Sequence, residues 1–273
     1  MFKLYKEAFK TTIDTIILAT PLVLFTFVLS IYLSFSKSSI NSVPLLILTV
    51  ITVLLMISAF MSGWFYMVKK AVKLSQKVFV LDADRAKATF ALLKTIPTGI
   101  GKYFLPFLVM NILLILIIIL LSIFIHDIGM ILVGDVGIAP DVIKNALLSS
   151  ENLKPFLESL SYEQLVKLNY WNLLILFFNT IFTFLFMLLI PEIIYSTSNP
   201  FKAMFKSIVK LFSKFYKSIK LYFYIAVVNF ILSLLNSIVA GNLILYFLVL
   251  LLYFYFIVYI TVLIFTYYEK EFQ

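Results

Sequence analysis

Six long runs of apolar residues restrict what this chain can fold into more than any other feature of its sequence. A run of about 18 or more apolar residues can cross a hydrocarbon core of roughly 30 Å as a helix. The six runs are Ile16–Phe35, Val43–Val68, Tyr103–Ile125, Leu173–Ile190, Leu221–Ala240 and Leu243–Tyr267. The sequence therefore predicts an all-α polytopic integral membrane protein, with residues 1–273 forming a single membrane domain of six transmembrane helices.

Composition excludes a water-soluble domain and several kinds of site. The chain is 63% apolar and 13% charged, whereas soluble domains are about 45 to 50% apolar and about 25% charged. Cysteine is absent and a single histidine is present, which excludes disulfide scaffolds, thiol nucleophiles and Cys/His zinc sites. We expect neither a metal ion nor a cofactor.

The distribution of charge predicts the topology and a partner. Residues 69–102 hold eight basic and two acidic residues, and residues 191–220 hold six lysines and one glutamate. Residues 126–171 hold three lysines and six acidic residues. Because Lys-rich segments stay in the cytoplasm, both termini are predicted to be cytoplasmic and the 126–171 loop to be external. The net charge is +9, and the basic residues lie close to the predicted spans. This placement favours anionic lipid headgroups over nucleic acid as partners.

The second basic segment has the pattern of a helix lying on the membrane. Asn199 and Pro200 fit a helix cap followed by a first-turn proline. The apolar residues that follow recur every three or four positions and are Phe201, Met204, Phe205, Ile208, Phe212, Phe215 and Ile219. The lysines on the other face are Lys202, Lys206, Lys210, Lys214, Lys217 and Lys220. We expect these six lysines to contact anionic lipid; the alternative is a solvated connector whose lysines only determine topology.

A weaker version of this helix is predicted over residues 87–96, with Asp84 as its cap. Pro97, Gly99 and Gly101 are expected to end it before the third span. Lys87-Ala88-Thr89-Phe90 resembles Lys202-Ala203-Met204-Phe205, which suggests two halves that each contain a span, a basic helix and a returning span. Coincidence in a biased composition is the alternative.

Short helices are predicted in the external loop. One covers residues 141–149, and a second covers 150–160 and is expected to be broken by Pro155. Ser161 and Gln164 have the spacing of a capping box.

Polar residues within the spans are the candidates for a transport path. Carboxylates at membrane depth often mark ion or proton paths, so Glu192, with Asn111 and Asn229, is a possible path-lining residue. The structural alternative is a Glu192 that pairs with a lysine at the interface, and asparagines that hold helices in register.

An enzyme is not expected. The chain contains no Walker A, HExxH, GxSxG or GxGxxG motif. His126 beside Asp127 offers a general base, but a polar cap at the end of a span explains the same pair.

The run Lys202-Ala203-Met204-Phe205-Lys206-Ser207, between two spans, resembles an element of one prokaryotic family. That family is the membrane domain fused to some glycerophosphodiester phosphodiesterases, with its stand-alone six-span relatives. The resemblance implies six spans with two basic surface helices, and a location in the plasma membrane of a prokaryote. It implies no hydrolase activity, because the phosphodiesterase barrel is absent.

Two functions are consistent with these patterns. The first is a non-enzymatic membrane component that contacts anionic lipid at the cytoplasmic leaflet, as a scaffold or as an accessory to a membrane partner protein or a second copy of itself. The second is a transporter or permease subunit with a path between the two halves.

Overall fold

The computed structural model describes residues 1–39, 42–77, 79, 81–139, 141–142, 146, 150–239 and 242–273. Within these residues the regular structure is helical and no strand occurs. Eleven described α-helices follow one another as α1 Phe2–Asp14, α2 Ala19–Ser39, α3 Val43–Ser75, α4 Asp82–Ala91, α5 Ile96–Leu132, α6 Ser150–Ser159, α7 Tyr162–Phe186, α8 Leu189–Tyr195, α9 Pro200–Ser213, α10 Phe215–Val239 and α11 Leu243–Phe272.

Six of the helical segments are long and apolar enough to cross a membrane, which confirms the predicted number. They contain α2, α3, α5, α7, α10 and α11. Several helices run past the predicted ends of the apolar runs, as α3 does at Ser75 and α5 at Leu132. A helix that continues past its apolar run keeps its backbone hydrogen bonds satisfied within the helix, as a lipid environment requires. The predicted end of the fifth span, Ala240, lies outside the described residues.

An amphipathic helix that was not predicted from the sequence covers Phe2–Asp14. Helix α1 buries Leu4, Ala8, Thr11 and Thr12 on one face and packs mainly against α11. Tyr5 stacks on Tyr224 with ring centroids 4.2 Å apart. Burial, and to a smaller extent Tyr224, raise the pKa of Tyr5.

Sharp bends connect amphipathic helices to spans. Thr15, between α1 and the turn that leads to α2, has φ −126° and ψ 38°. Lys214, between α9 and α10, has φ −124° and ψ 40°. The single helix predicted to continue from Pro200 to Ile219 is therefore wrong, because the chain leaves helical geometry at Lys214. A 3₁₀ turn, Leu92–Thr95, separates α4 from α5, and the residues on either side of it, Ala91 and Ile96, keep right-handed helical dihedral angles. The described chain thus has three pairs of a short helix and a following span, where the sequence suggested two halves.

The predicted break at Pro97, Gly99 and Gly101 is also wrong, since all three lie within α5. A proline in the first turn of a helix costs no hydrogen bond, because the first backbone N–H groups have no acceptor within the helix. Gly99 allows close contact with α3, because a Cβ there would lie 2.8 Å from the Ser62 carbonyl oxygen and 2.9 Å from Gly63 Cα. Small residues at crossings let transmembrane helices approach closely.

The chain divides into two compact units. The first contains Met1–Ile112 with Leu185–Gln273, and the second is Leu113–Phe184. In the second unit the predicted capping box is confirmed. The backbone N–H of Gln164 donates to Ser161 Oγ at 3.2 Å, and the backbone N–H of Ser161 donates to Gln164 Oε1 at 3.0 Å.

Pro155 lies inside the continuous α6 and does not break it, since a proline bends an α-helix without always ending it. The helix predicted over residues 141–149 lies mostly outside the described residues.

Candidate functional site

The end of α11 bonds to four other helices of the first unit. We call residues 267–271 the α11 junction, since each of its five side chains bonds to a different residue. Its bonds join Tyr267 to Ser218 at 2.9 Å, Tyr268 to Glu192 at 2.5 Å, Glu269 to Gln76 at 3.3 Å, Lys270 to Glu7, and Glu271 to Lys217 at 2.6 Å. The junction therefore holds α1, α8, α10 and the end of α3 against one helix.

A buried ion pair lies beside this junction. Glu192 on α8 is fully buried. Its Oε2 accepts a hydrogen bond from Tyr268 Oη at 2.5 Å and lies 2.9 Å from Lys210 Nζ on α9. Lys210 also donates to Tyr268 Oη at 2.5 Å. Three helices thus meet at one carboxylate, whose Oε1 has no hydrogen-bond partner among the described residues.

Local sequence places Glu192 where α9 can cover it. Helix α7 ends at Phe186, and α8 begins after Leu188, which has φ −94° and ψ 0°. Helices α8 and α9 pack directly against each other. The backbone carbonyl of Ile194, near the C-terminal end of α8, accepts hydrogen bonds from Lys69 Nζ at 2.6 Å and from Tyr103 Oη at 3.1 Å. A cation and a hydroxyl at this position satisfy the free carbonyl of the helix end.

Helix α9 has a buried face and an exposed face. Asn199 caps it as predicted, accepting from the Lys202 amide at 3.1 Å. The buried face consists of small and aliphatic residues, Ala203, Ser207 and Leu211, and the hydrophobic pattern did not identify it. The aromatic residues of the predicted stripe are exposed, with Phe205 at 74%. The predicted apolar stripe therefore faces away from the protein.

The six predicted lipid-contacting lysines separate into two groups. Lys202, Lys206 and Lys220 are exposed and have no ion pair among the described residues. Lys210 pairs with Glu192, while Lys217 and Lys214 lie 2.6 Å and 3.9 Å from Glu271. Hydrophobic periodicity assigned all six to one face, because periodicity describes the helix alone and not its acidic neighbours.

The structure gives the three candidate path residues separate surroundings. Asn111 Nδ2 on α5 donates to Ser58 Oγ on α3 at 2.9 Å, which matches the alternative in which asparagines hold helices in register. Asn229 on α10 is exposed. Glu192 pairs with a lysine, as its structural alternative expected.

Two neighbouring cavities lie near the bend between α1 and α2. The polar cavity, of about 690 Å³, lies between α1, α4, α11 and the end of α3. The apolar groove, of about 680 Å³, lies between α4 and the start of α2. Asp14 and Arg85 form an ion pair in the wall that the two share. This pair was not predicted from the sequence, where Arg85 contributed only to the charge of residues 69–102.

The second unit carries the pair considered for catalysis. His126 Nδ1 lies 3.4 Å from Asp127 Oδ1, and both side chains are exposed. The structure describes no group of three or more His, Cys, Asp or Glu side chains, within the residues it covers, that could hold a metal ion.

The fold defines the class of protein: a multi-pass integral membrane protein built of α-helices. Comparison of the chain with family models, with curated proteins and with solved structures finds no match. The resemblance to the membrane domain of glycerophosphodiester phosphodiesterases stays a prediction.

Proposed function

We propose that this protein is a non-enzymatic component of the membrane that binds anionic lipid headgroups through α9 and the start of α10. The observation that carries the proposal is the division of α9 into a buried face and an exposed face. The exposed face combines aromatic rings with Lys202 and Lys206. Aromatic side chains reach into the headgroup region while the neighbouring ammonium groups attract lipid phosphates.

The free lysines set the size of the expected effect. Each lysine near an anionic surface contributes about 1 kcal/mol. Lys202, Lys206 and Lys220 together would contribute about 3 kcal/mol, or a factor of about 100 in affinity, before screening by salt. The other three lysines of the segment are held by carboxylates and add less.

The rest of the first unit supports this surface by holding α9 in place. Lys210 bonds to Glu192 and Tyr268, and the buried face of Ala203, Ser207 and Leu211 packs inward. A helix fixed in this way presents the same side chains to the bilayer at all times, as expected of a scaffold or of an accessory to a membrane partner. We place the surface at the cytoplasmic leaflet of a prokaryotic plasma membrane, with both termini cytoplasmic, on the charge pattern and the family resemblance.

Transport is the rival proposal, and it has less support. A path would need polar side chains that converge within the spans. Asn111 is bonded to Ser58, Glu192 to Lys210 and Tyr268, and Asn229 is exposed.

Spin-labelled lipids test the proposal in proteoliposomes. Electron paramagnetic resonance would measure the preference of the reconstituted protein for labelled phosphatidylglycerol over phosphatidylcholine. Changing Lys202, Lys206 and Lys220 together to Gln should remove most of that preference, and raising the salt concentration should weaken it in the wild type. The matched control changes the same three residues to Arg, which keeps the charge and should keep the preference. An unchanged preference in the Gln variant would refute the proposal.

A further inference from the structure

The polar cavity contains charges that no other described residue neutralises. Its ionisable lining residues are Glu7, Lys10, Asp14, Lys77, Asp82, Arg85 and Lys270. Arg85 pairs with Asp14, and Lys270 pairs with Glu7. Lys10, Lys77 and Asp82 have no ion pair within the part of the chain that the structure describes. Two cations and one carboxylate therefore remain available to a ligand.

The apolar groove begins where the polar cavity ends. Its lining includes Ile16, Ile17, Val23 and Leu24 from the start of the first span, with Ala86 and Phe90 from α4. Leu24 is 59% exposed and Phe90 is 63% exposed. Because the groove lies along a helix that is apolar enough to span the membrane, its open side would face hydrocarbon when that helix crosses a bilayer. An acyl chain is the occupant that such a surface favours.

Four residues line both spaces: Asp14, Asp82, Arg85 and Thr89. The two spaces therefore adjoin across one wall that carries an ion pair. A molecule lying across this wall would have its polar end among the charges and its apolar end against α2. A membrane phospholipid has such a polar end and such an apolar end.

We propose that this cleft binds one phospholipid with a primary-amine headgroup, of the phosphatidylethanolamine type. Its phosphate, with one negative charge, would accept hydrogen bonds from Lys10 and Lys77. Its ammonium group would donate to Asp82, and one acyl chain would lie in the apolar groove. A glycerol headgroup has no cation for Asp82, and a trimethylammonium headgroup has no N–H to donate.

This site is separate from the lipid surface on α9, because none of Lys202, Lys206 and Lys220 lines the cleft. It concerns a single bound lipid rather than the charge of the bilayer. Changing those three lysines to Gln should therefore leave the affinity for phosphatidylethanolamine unchanged, so the two proposals fail independently.

Native mass spectrometry of the full chain, delipidated in detergent and titrated with single lipids, tests the headgroup. In the variant with Lys202, Lys206 and Lys220 changed to Gln, which removes the phosphatidylglycerol-binding surface of α9, we expect one phosphatidylethanolamine to bind about tenfold more tightly than phosphatidylglycerol, the size of one charge-assisted hydrogen bond. Asp82→Asn should remove this preference. Asp84→Asn is the matched control, since both aspartates lie in the first turn of α4 and only Asp82 lines the cleft. Equal affinities for the two lipids in this Gln background, or equal effects of Asp82→Asn and Asp84→Asn in it, would overturn the proposal.

A second pair of variants tests the acyl chain. Ala86→Trp fills the apolar groove from an exposed position on α4, while Ala83→Trp adds the same ring at an exposed position outside it. Ala86→Trp should lower the affinity for phosphatidylethanolamine at least tenfold, and Ala83→Trp should leave it unchanged. Equal affinities for the two variants would mean that the groove holds no chain.

Discussion

The loss of stability on breaking the ion pair between Glu192 and Lys210 can be predicted from the burial of the two side chains. Lys210→Met keeps the length of the side chain but removes the only cation that contacts Glu192 among the described residues. Glu192 is fully buried, whereas the Lys210 side chain is 24% exposed. Leaving a buried carboxylate without its cation costs about 3 to 5 kcal/mol. Since water reaches part of Lys210 and Tyr268 still donates to the carboxylate, we expect a loss of about 3 kcal/mol in the free energy of unfolding.

The same change at a more exposed ion pair is the matched control. Lys217 lies 2.6 Å from Glu271, but its side chain is 50% exposed. Lys217→Met should therefore cost less than about 1 kcal/mol. Unfolding in mixed micelles with increasing dodecyl sulfate, followed by circular dichroism, measures both values.

A double variant separates the pair from general damage to the fold. Glu192→Gln combined with Lys210→Met removes both charges, so it should be less destabilising than the sum of the two single variants by about 2 kcal/mol. A Lys210→Met cost no larger than that of Lys217→Met, or strictly additive effects of the two changes, would refute the reasoning.

Two further predictions concern the helices that position the site. Gly99→Ala should destabilise the protein by about 1 to 3 kcal/mol, because the added Cβ would overlap the backbone of α3. Gly101→Ala, at a position with open space, should stabilise the protein by less than about 1 kcal/mol. Equal melting temperatures of the two variants in detergent would contradict this. Asn199→Ala should lower the stability by about 1 kcal/mol, because it removes the cap of α9. Asn229→Ala, at an exposed position, should lower the stability by less than about 0.5 kcal/mol. A comparable loss of stability in both variants would show that the cap contributes nothing specific.

The number of spans follows from the sequence because it depends on a local property. Each span needs only a long apolar run, and the caps at Asn199 and Ser161 depend on residues within one helical turn. These features are present in the structure. Their energies come from neighbours in the chain, so they can be predicted without knowing the fold.

The polar contacts of the candidate site depend instead on distant partners. Glu192 meets Tyr268, which is 76 residues away, and Arg85 meets Asp14, which is 71 residues away along the numbering. No periodicity contains these pairings. The spacing of Leu4, Ala8 and Thr11, which α1 buries on one face, is present in the sequence, but it does not identify the helix that covers this face.

Cysteine labelling tests the central claim, that six spans place the basic segments on one side of the membrane. The chain has no native cysteine, so single residues can be introduced at the exposed positions Ala83, Ser159 and Ser213. In right-side-out vesicles a membrane-impermeant maleimide should label Ser159→Cys and should leave Ala83→Cys and Ser213→Cys unlabelled until the vesicles are opened. Labelling of positions 83 and 213 from opposite sides, or of position 159 from the same side as either, would contradict the six-span account.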